Sequence, residues 1–359
     1  AYAGDARPAL TYTVAGLADG ENLKTAPTLF CDANMSKTGI YAITADGAEA
    51  PQGGNYDSKI TYMAGKLTVN IRPSSEGPAI KPNPLPVTTE DVEKNGQTGT
   101  ATTAKPESTT RGDMATADIL SGVGQELVKQ AEKNDSDTVV IAPEIKGNVA
   151  KTEVSIPSEI VSDLGSKTDA DLVIETPVAA VTIPNGELKN LAAAGGKVTI
   201  TAENKGGSIT LAITSGGENV AAVAGGVTLT VPYENGKPGT VAVLIRENGT
   251  REVIRKSVAN GDEPVVTIPL KGSAALEIID NGKTFEDVSA QNWAADAVTF
   301  VSGHELFTGT GANTFSPDAS MTRGMLAKVL HNLENNPDHA FSSKFDDVGN
   351  GQWFSEAVS

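Results

Sequence analysis

Two nearly identical stretches lie sixty residues apart: FEDVSAQNW at 285–293 and FDDVGNGQW at 345–353. On this period the matching pairs are Phe285/Phe345, Asp287/Asp347, Val288/Val348, Trp293/Trp353, Ala297/Ala357 and Val298/Val358. A fixed period indicates one structural unit that the chain uses more than once. We therefore predict a complete repeat at 284–344 and the start of a second, truncated copy at 345–359.

Apolar spacing predicts that each repeat is a pair of helices. Apolar residues follow Trp293 on one helical face as far as Val301, and Gly303 is suited to end that helix. A second apolar face runs from Leu326 to Leu333. Such a pair is too small to bury a core alone, so we expect stability to come from packing against neighbouring repeats.

The segment resembles the S-layer homology family. The resemblance rests on Phe285-x-Asp287-Val288, Trp293, Gly303, Phe315-x-Pro317 and Thr322-Arg323. It implies an all-α helix-pair fold, usually grouped as three repeats around a pseudo-threefold axis. It also implies non-covalent binding to secondary cell-wall polysaccharide, which often carries anionic pyruvate ketals.

The residues implied in polysaccharide binding are Arg323, Trp293, Thr322 and Asp287. Arg323 would stand at a helix N-terminus, where the planar guanidinium and the helix dipole both favour a carboxylate. Trp293 has two interpretations, a ring that faces the sugar and a packing anchor, and the sequence leaves both open.

The predicted start of the second helix departs from the family pattern. The family has Thr-Arg-Ala-Glu, whereas this chain has Thr322-Arg323-Gly324-Met325. Thr-x-x-Glu is a capping box, and we expect that Met325 cannot return its second hydrogen bond. Gly324 is expected to weaken the helix by up to about 1 kcal/mol relative to alanine.

The distribution of histidines argues against catalysis. His304, His331 and His339 are the only three, and we interpret them as surface residues without a ligand role. Residues 1–303 therefore lack a Ser-His-Asp or Cys-His arrangement, and we find no metal or cofactor motif. The chain is predicted to be non-enzymatic and to use no cofactor.

Composition argues against several further classes of protein. A net charge of −17 and a pI near 4.6 argue against nucleic acid as a partner. The single cysteine, Cys31, excludes an internal disulfide and is interpreted as a small buried hydrophobe. No apolar run approaches the length of a membrane span. The chain starts without Met and ends within a helical pattern, so we interpret it as a piece of a longer protein.

Residues 1–72 predict a small all-β sandwich. Strand-like alternation occurs at 10–14, 39–44, 59–63 and 66–71. The elements Tyr2-x-Gly4-Asp5, Pro8 to Tyr12, Gly39-x-Tyr41-x-Ile43 and Gly65 to Val69 resemble the MBG (YGX-type) repeat of bacterial surface proteins. That resemblance implies a stalk or adhesion module with no active site and an unknown surface or host ligand.

Residues 73–114 are interpreted as a linker. Five prolines fall between Pro73 and Pro86, and a Thr- and Gly-rich stretch without hydrophobic periodicity follows. Arg111-Gly112-Asp113 spells the integrin tripeptide, but we interpret it as a solvated loop before a helix.

Residues 115–283 predict an α+β module with a largely antiparallel sheet. Thr116 is expected to cap a helix, and a strand is expected at 138–142. VSIP at 154–157 and VTIP at 181–184 form an echo in which Ser158 and Asn185 would cap short helices. Nearly everything after Lys197 alternates as strand. No function can be inferred for this module.

The preferred hypothesis is a non-enzymatic protein of a Gram-positive cell surface. Its stalk-type modules would be anchored to wall polysaccharide through S-layer homology repeats. The alternative is a wall-anchored polysaccharide-degrading enzyme with its catalytic domain upstream of residue 1. One repeat and a fragment are expected to bind polysaccharide weakly by themselves.

Overall fold

The computed structural model describes residues 7–17, 21–35, 37, 39–51, 60–69, 87–94, 97–260, 263–342 and 345–359. The chain divides into two compact units, Ala1–Asn83 and Pro84–Ser359. It is mostly β-sheet with few helices, and its sheets are open. Among the described residues, no helix is both long and apolar enough to cross a membrane.

The first unit contains a three-stranded antiparallel sheet of β1 (Thr28–Phe30), β2 (Gly39–Asp46) and β3 (Gly65–Val69). Ala33, Leu67 and Val69 form its buried cluster, and the half-buried Cys31 packs against them.

The predicted sandwich is not seen among the residues described for this unit. Residues 10–14, expected as a strand, lie outside the sheet and are mostly exposed. Alternation favours a strand only where a partner strand supplies the backbone hydrogen bonds, and residues 10–14 pair with none of the strands described for this unit.

The second unit contains two sheets. One has the order β18-β19-β15-β11-β10-β8-β5-β4 and the other β17-β16-β20-β13-β12-β9-β7-β6, with β14 beside β13. The strands of the first sheet are β4 Val87–Lys94, β5 Gln97–Ala104, β8 Thr138–Ile141, β10 Asp171–Glu175, β11 Ala180–Ile183, β15 Val227–Pro232, β18 Val258–Asn260 and β19 Val265–Leu270. Those of the second are β6 Thr109–Arg111, β7 Met114–Asp118, β9 Lys151–Pro157, β12 Lys197–Lys205, β13 Ser208–Ser215, β14 Glu218–Asn219, β16 Thr240–Ile245, β17 Arg251–Ile254 and β20 Ala274–Asp280.

Most neighbouring strands in this unit are antiparallel. The described parallel pairs are β5 with β8, β8 with β10, and β7 with β9. The helices α1 (Ser121–Lys133), α2 (Ser158–Lys167) and α3 (Asn185–Ala192) join the inward faces of both sheets in one buried cluster. The helices α4 (Ala295–Gly303), α5 (Arg323–Leu333) and α6 (Ser355–Val358) follow the last strand.

The predicted linker at 73–114 is wrong in its second half, because β4 to β6 and the first residue of β7 lie within it. β5, Gln97–Ala104, contains four threonines, and β-branched threonine suits a half-buried strand. Thr102 is fully buried and its hydroxyl bonds to Ser136. The proline-rich part of the prediction, residues 73–86, lies outside the described residues.

The Arg111-Gly112-Asp113 tripeptide lies at the tip of the hairpin between β6 and β7. Arg111 pairs with Met114, and Gly112 has a φ of 61°. All three residues of the tripeptide are exposed. The expected helix does not follow it: Thr116 lies inside β7 and caps nothing, because α1 begins at Ser121.

The echo at 154–191 forms two strand–helix units, but the predicted side-chain caps are wrong. Pro157 and Pro184 occupy the positions before α2 and α3, where no side chain caps the helix. Asn185 instead turns its amide towards the end of α2 and donates to the carbonyls of Thr168 at 2.9 Å and Ala170 at 3.1 Å. The first of these bonds satisfies the carbonyl of Thr168, the C-cap of α2, which has no partner within the helix.

Candidate functional site

The helix pair α4 and α5 is organised by aromatic residues in the segments before and between them. Phe315 makes edge contacts with Phe285 at 5.3 Å and with Phe307 at 5.2 Å between ring centroids. Trp293 lies before α4, which begins at Ala295, rather than on its face as predicted. The aromatic cluster therefore holds the connecting loop, and the tryptophan is left outside it.

The Asp287 carboxylate fixes the same loop through backbone hydrogen bonds. Its two carboxylate oxygens accept from the backbone N–H groups of Phe315 at 2.9 Å and Ser316 at 2.7 Å. The bond from Phe315 is the main cause that lowers the pKa of this carboxyl, with a further contribution from Ser316. Both oxygens are therefore engaged by the protein itself, which gives Asp287 a positioning role.

A groove of about 250 Å³ lies between α4, the loop and α5. Its lining is mainly apolar and includes Trp293, Val298, Phe315, Met321, Met325 and Val329. Trp293 is 80% exposed. An indole that buries so little surface contributes little as a packing anchor among the described residues.

Arg323 is exposed and is the first residue of α5. Its guanidinium carbon lies 5.6 Å from the centroid of the Phe345 ring, which belongs to the second copy of the repeat. Arg323 and Thr322 do not line the groove, although Met321 and Met325 on either side of them do. Of the four predicted binding residues, the structure thus brings only Trp293 into the groove.

The N-terminal cap of α5 is complete, which corrects the prediction for Met325. The Thr322 hydroxyl accepts from the Met325 N–H at 3.2 Å, and the Met325 sulfur accepts from the Thr322 N–H at 3.4 Å. Thioether sulfur is a weak acceptor, but it occupies the place of the missing glutamate.

The structure explains why position 324 is a glycine, which the sequence did not. A Cβ atom at this position would lie 3.0 Å from the Phe354 ring of the second copy. The loss of helix propensity at Gly324 is therefore accompanied by close packing between the two copies of the repeat.

The prediction that the histidines are surface residues is wrong for two of the three. His304 is fully buried, with Nδ1 2.8 Å from the Phe300 carbonyl and Nε2 2.9 Å from the Ser257 carbonyl. His331 is 8% exposed and lies 3.1 Å from the Pro337 carbonyl, whereas His339 is exposed. No sequence signal links His304 to Ser257, because the two residues are 47 positions apart.

Acidification is expected to release the loop that Asp287 holds. Because the folded carboxyl has a lowered pKa, its contribution to stability is complete above the ordinary value of 3.8 and is lost as the pH falls through the lower folded pKa. Hydrogen exchange of the Phe315 and Ser316 amides, followed from pH 6 downward, measures the release.

Asp287→Asn should abolish this pH dependence, and Asp318→Asn, at an exposed carboxyl in the same loop, should retain it. Loss of amide protection at the same pH in the wild type and in Asp287→Asn would show that another group controls the loop.

Two family profiles match the chain and confirm both resemblances. Residues 1–68 match the MBG domain (YGX type), and residues 284–324 match the S-layer homology domain. The second match contains Asp287, Trp293, Thr322 and Arg323.

Several bacterial enzymes are similar to parts of the chain. Amylopullulanase of Thermoanaerobacterium thermosulfurigenes is 21% identical over 262 residues, which cover 70% of this chain and 14% of the relative. Endo-1,4-beta-xylanase A of Thermoanaerobacterium saccharolyticum is 28% identical over 88 residues, 24% of this chain and 7% of the relative. Exoglucanase XynX of Acetivibrio thermocellus is 26% identical over 81 residues, 23% of this chain and 7% of the relative.

The chain thus spans only a small part of the relatives that it matches. No solved structure matches it significantly. The chain carries an MBG domain of the YGX type and an S-layer homology domain, and the latter indicates attachment to the cell wall at the cell surface.

Proposed function

We propose that this chain is a non-enzymatic segment of a Gram-positive cell-surface protein, held non-covalently on secondary cell-wall polysaccharide. The observation that carries the proposal is the S-layer homology match at 284–324, which contains Trp293 and most of the residues that line the groove beside it. The MBG domain and the sheets of the second unit would be held at the cell surface by that anchor.

Trp293 supplies the apolar part of the site. A large aromatic ring that is 80% exposed beside an apolar groove is a surface that a soluble protein rarely leaves without a partner. The C–H face of a sugar ring can stack on an indole while its hydroxyl groups stay in water. We therefore expect a pyranose ring to lie on Trp293 at the mouth of the groove.

Arg323 supplies the charge. The whole chain carries a net charge of −17, so an anionic polymer needs a local cation in order to bind. Arg323 lies at the N-terminus of an eleven-residue helix, where the backbone dipole adds to its attraction for an anion. Contact with the Phe345 ring orients the guanidinium, and its planar fork matches the carboxylate of a pyruvate ketal.

Saturation-transfer NMR with pyruvylated wall polysaccharide tests both residues and tolerates weak binding. Arg323→Ala is expected to weaken binding about tenfold, equivalent to about 1.4 kcal/mol, because a charge-assisted contact is lost. Trp293→Ala should weaken binding at least as much. Polysaccharide from which the pyruvate has been removed should bind the wild type and Arg323→Ala equally.

Each control makes the same kind of substitution as a test variant, but at a site away from the groove. Arg111→Ala removes an exposed arginine at a hairpin tip, and Phe30→Ala removes an exposed aromatic ring of the first unit. Both should bind like the wild type. Unchanged binding in Arg323→Ala and Trp293→Ala together would contradict the proposed site.

The second candidate is an anchor for a polysaccharide-degrading enzyme. It is favoured by the relatives, which are an amylopullulanase, an endoxylanase and an exoglucanase. Release of reducing ends from pullulan, xylan or cellulose by residues 1–359 would overturn the non-enzymatic proposal. Hydrolase activity on the same polypeptide in a zymogram of wall-bound native protein, without activity in residues 1–359, would support the second candidate.

A further inference from the structure

One end of the S-layer homology helix pair is buried against the two sheets at residues 87–283. We call these sheets and their helices the sheet unit. The C-terminal end of α4 and the residues that follow α5 contact three segments of those sheets. The segments are the turn at Gly239 before β16, residues 255–257 after β17, and residues 281–283 after β20. We call this contact face the base of the repeat.

Glycines bring the backbones together at the base. A Cβ atom on Gly303, at the end of α4, would lie 3.0 Å from the Gly239 Cα. One on Gly239 would lie 2.6 Å from the Gly282 Cα, and one on Gly282 would lie 2.7 Å from the Thr299 side chain. None of the three glycines has a positive φ, so close approach rather than backbone conformation explains them.

Hydrogen bonds join the end of α4 to the sheets at the base. The Asn281 amide donates to the Gly303 carbonyl at 2.6 Å, and the Ser257 carbonyl lies 2.9 Å from Nε2 of the buried His304. Phe300 stacks on the imidazole with 4.0 Å between ring centroids. In the last turn of α4, the Gly303 carbonyl therefore takes its donor from the sheets, whereas the carbonyls of the preceding three residues accept from backbone N–H groups that follow the helix.

Ion pairs surround this contact. Arg255 bonds to Glu305 at 3.3 Å and to the Asn335 side chain at 3.4 Å, and its guanidinium is largely buried. Lys256 bonds to Glu334 at 2.8 Å. Exposed pairs contribute little energy, but these two pairs of complementary charge favour one orientation of the repeat on the sheets.

The opposite end of the repeat receives the second copy. There the Phe354 ring packs on Gly324, and the Phe345 ring lies beneath Arg323. A repeat array that cannot bury its core one unit at a time needs a different partner at its first unit. In this chain the partner at the base is the sheet unit.

We propose that the sheet unit at residues 87–283 is the N-terminal cap of the S-layer homology array. The base of the first repeat is built for this unit, and the second copy of the repeat packs at the Gly324 end. The cap stabilises α4 and α5 and fixes the Trp293 groove relative to the sheets. This proposal does not depend on what the groove binds.

Hydrogen exchange of the full chain tests the cap from both sides. Gly239→Ala changes the sheet unit, and His304→Ala changes the repeat. Each is expected to lower the protection of α4 and α5 amides at least tenfold while the amides of β12 and β13 keep theirs. Because docking is reciprocal, His304→Ala should also expose the Ser257 and Lys283 amides, which belong to the sheet unit.

Gly349→Ala and His339→Ala are the matched controls. A Cβ on Gly349 meets no atom within 4 Å, and His339 is exposed. Both variants should exchange like the wild type.

Unchanged protection of α4 and α5 in Gly239→Ala and His304→Ala would overturn the cap. An effect of His304→Ala that is confined to residues 295–333 would also overturn it, since the histidine would then act only within the repeat. If Gly239→Ala disturbs the sheets as well, the reciprocal effect in His304→Ala decides the case.

Discussion

Gly309→Ala is expected to unfold the loop that forms one wall of the Trp293 groove. Gly309 has a φ of 89°, which alanine adopts only with strain, and the added Cβ would lie within van der Waals overlap of the Thr314 carbonyl oxygen. It would also lie 3.2 Å from the Phe285 ring. The backbone clash and the strain together should cost at least about 3 kcal/mol of stability.

Tryptophan fluorescence during urea unfolding measures this cost where it occurs. Trp293 and Trp353 are the only tryptophans, and both lie in the two copies of the repeat. The midpoint of the fluorescence transition should fall sharply in Gly309→Ala. The far-UV signal, which comes mainly from the sheets, should change little.

Two other glycines separate the causes. Gly351 has a φ of 91°, but a Cβ atom added to it would meet no atom within 4 Å, so Gly351→Ala carries strain without a clash. Gly349→Ala carries neither. The expected order of destabilisation is Gly309→Ala, then Gly351→Ala at about 1–2 kcal/mol, then Gly349→Ala near zero. Equal effects at Gly309 and Gly351 would rule out the carbonyl clash as the main cause.

Leu164→Ala should produce a large loss of stability in the sheet unit. Leu164 is fully buried on α2 and belongs to the cluster that joins both sheets with α1, α2 and α3. Truncation of a fully buried leucine leaves a cavity and typically costs about 2–5 kcal/mol. Urea unfolding followed by far-UV circular dichroism measures the change.

Leu120→Ala is the matched control, because it makes the same change in a side chain that is 70% exposed. It should cost little, and a similar loss in the two variants would mean that α2 does not pack as described. If the base of the repeat is capped by the sheet unit, Leu164→Ala should also lower the midpoint of the tryptophan transition.

Local patterns predicted part of the fold well and part of it poorly. The strand of the VTIP echo and the short helix after it form at β11 and α3, because alternation and a proline before the helix act over a few neighbouring residues. The linker prediction failed at β4 and β5, where the threonine-rich sequence has few large apolar residues. Those strands are stabilised by neighbours such as β8 that lie elsewhere in the sequence.

The candidate site divides in the same way. Trp293, Thr322 and Arg323 were predicted from the repeat, because their types and spacing recur in a family pattern, and their role in binding stays a prediction. The positioning role of Asp287 was not, because it depends on amides 28 and 29 residues away.

By itself, the sequence determined the two domain families, the location of the anchor and the chemistry of its exposed residues. These follow from side-chain types at fixed spacing within short segments. Only the tertiary structure decided that His304 is buried against Ser257, that Gly324 receives Phe354 and that the base of the repeat rests on the sheets. Each of those contacts joins segments far apart in the chain, and the burial that stabilises them exists only once both segments are in place.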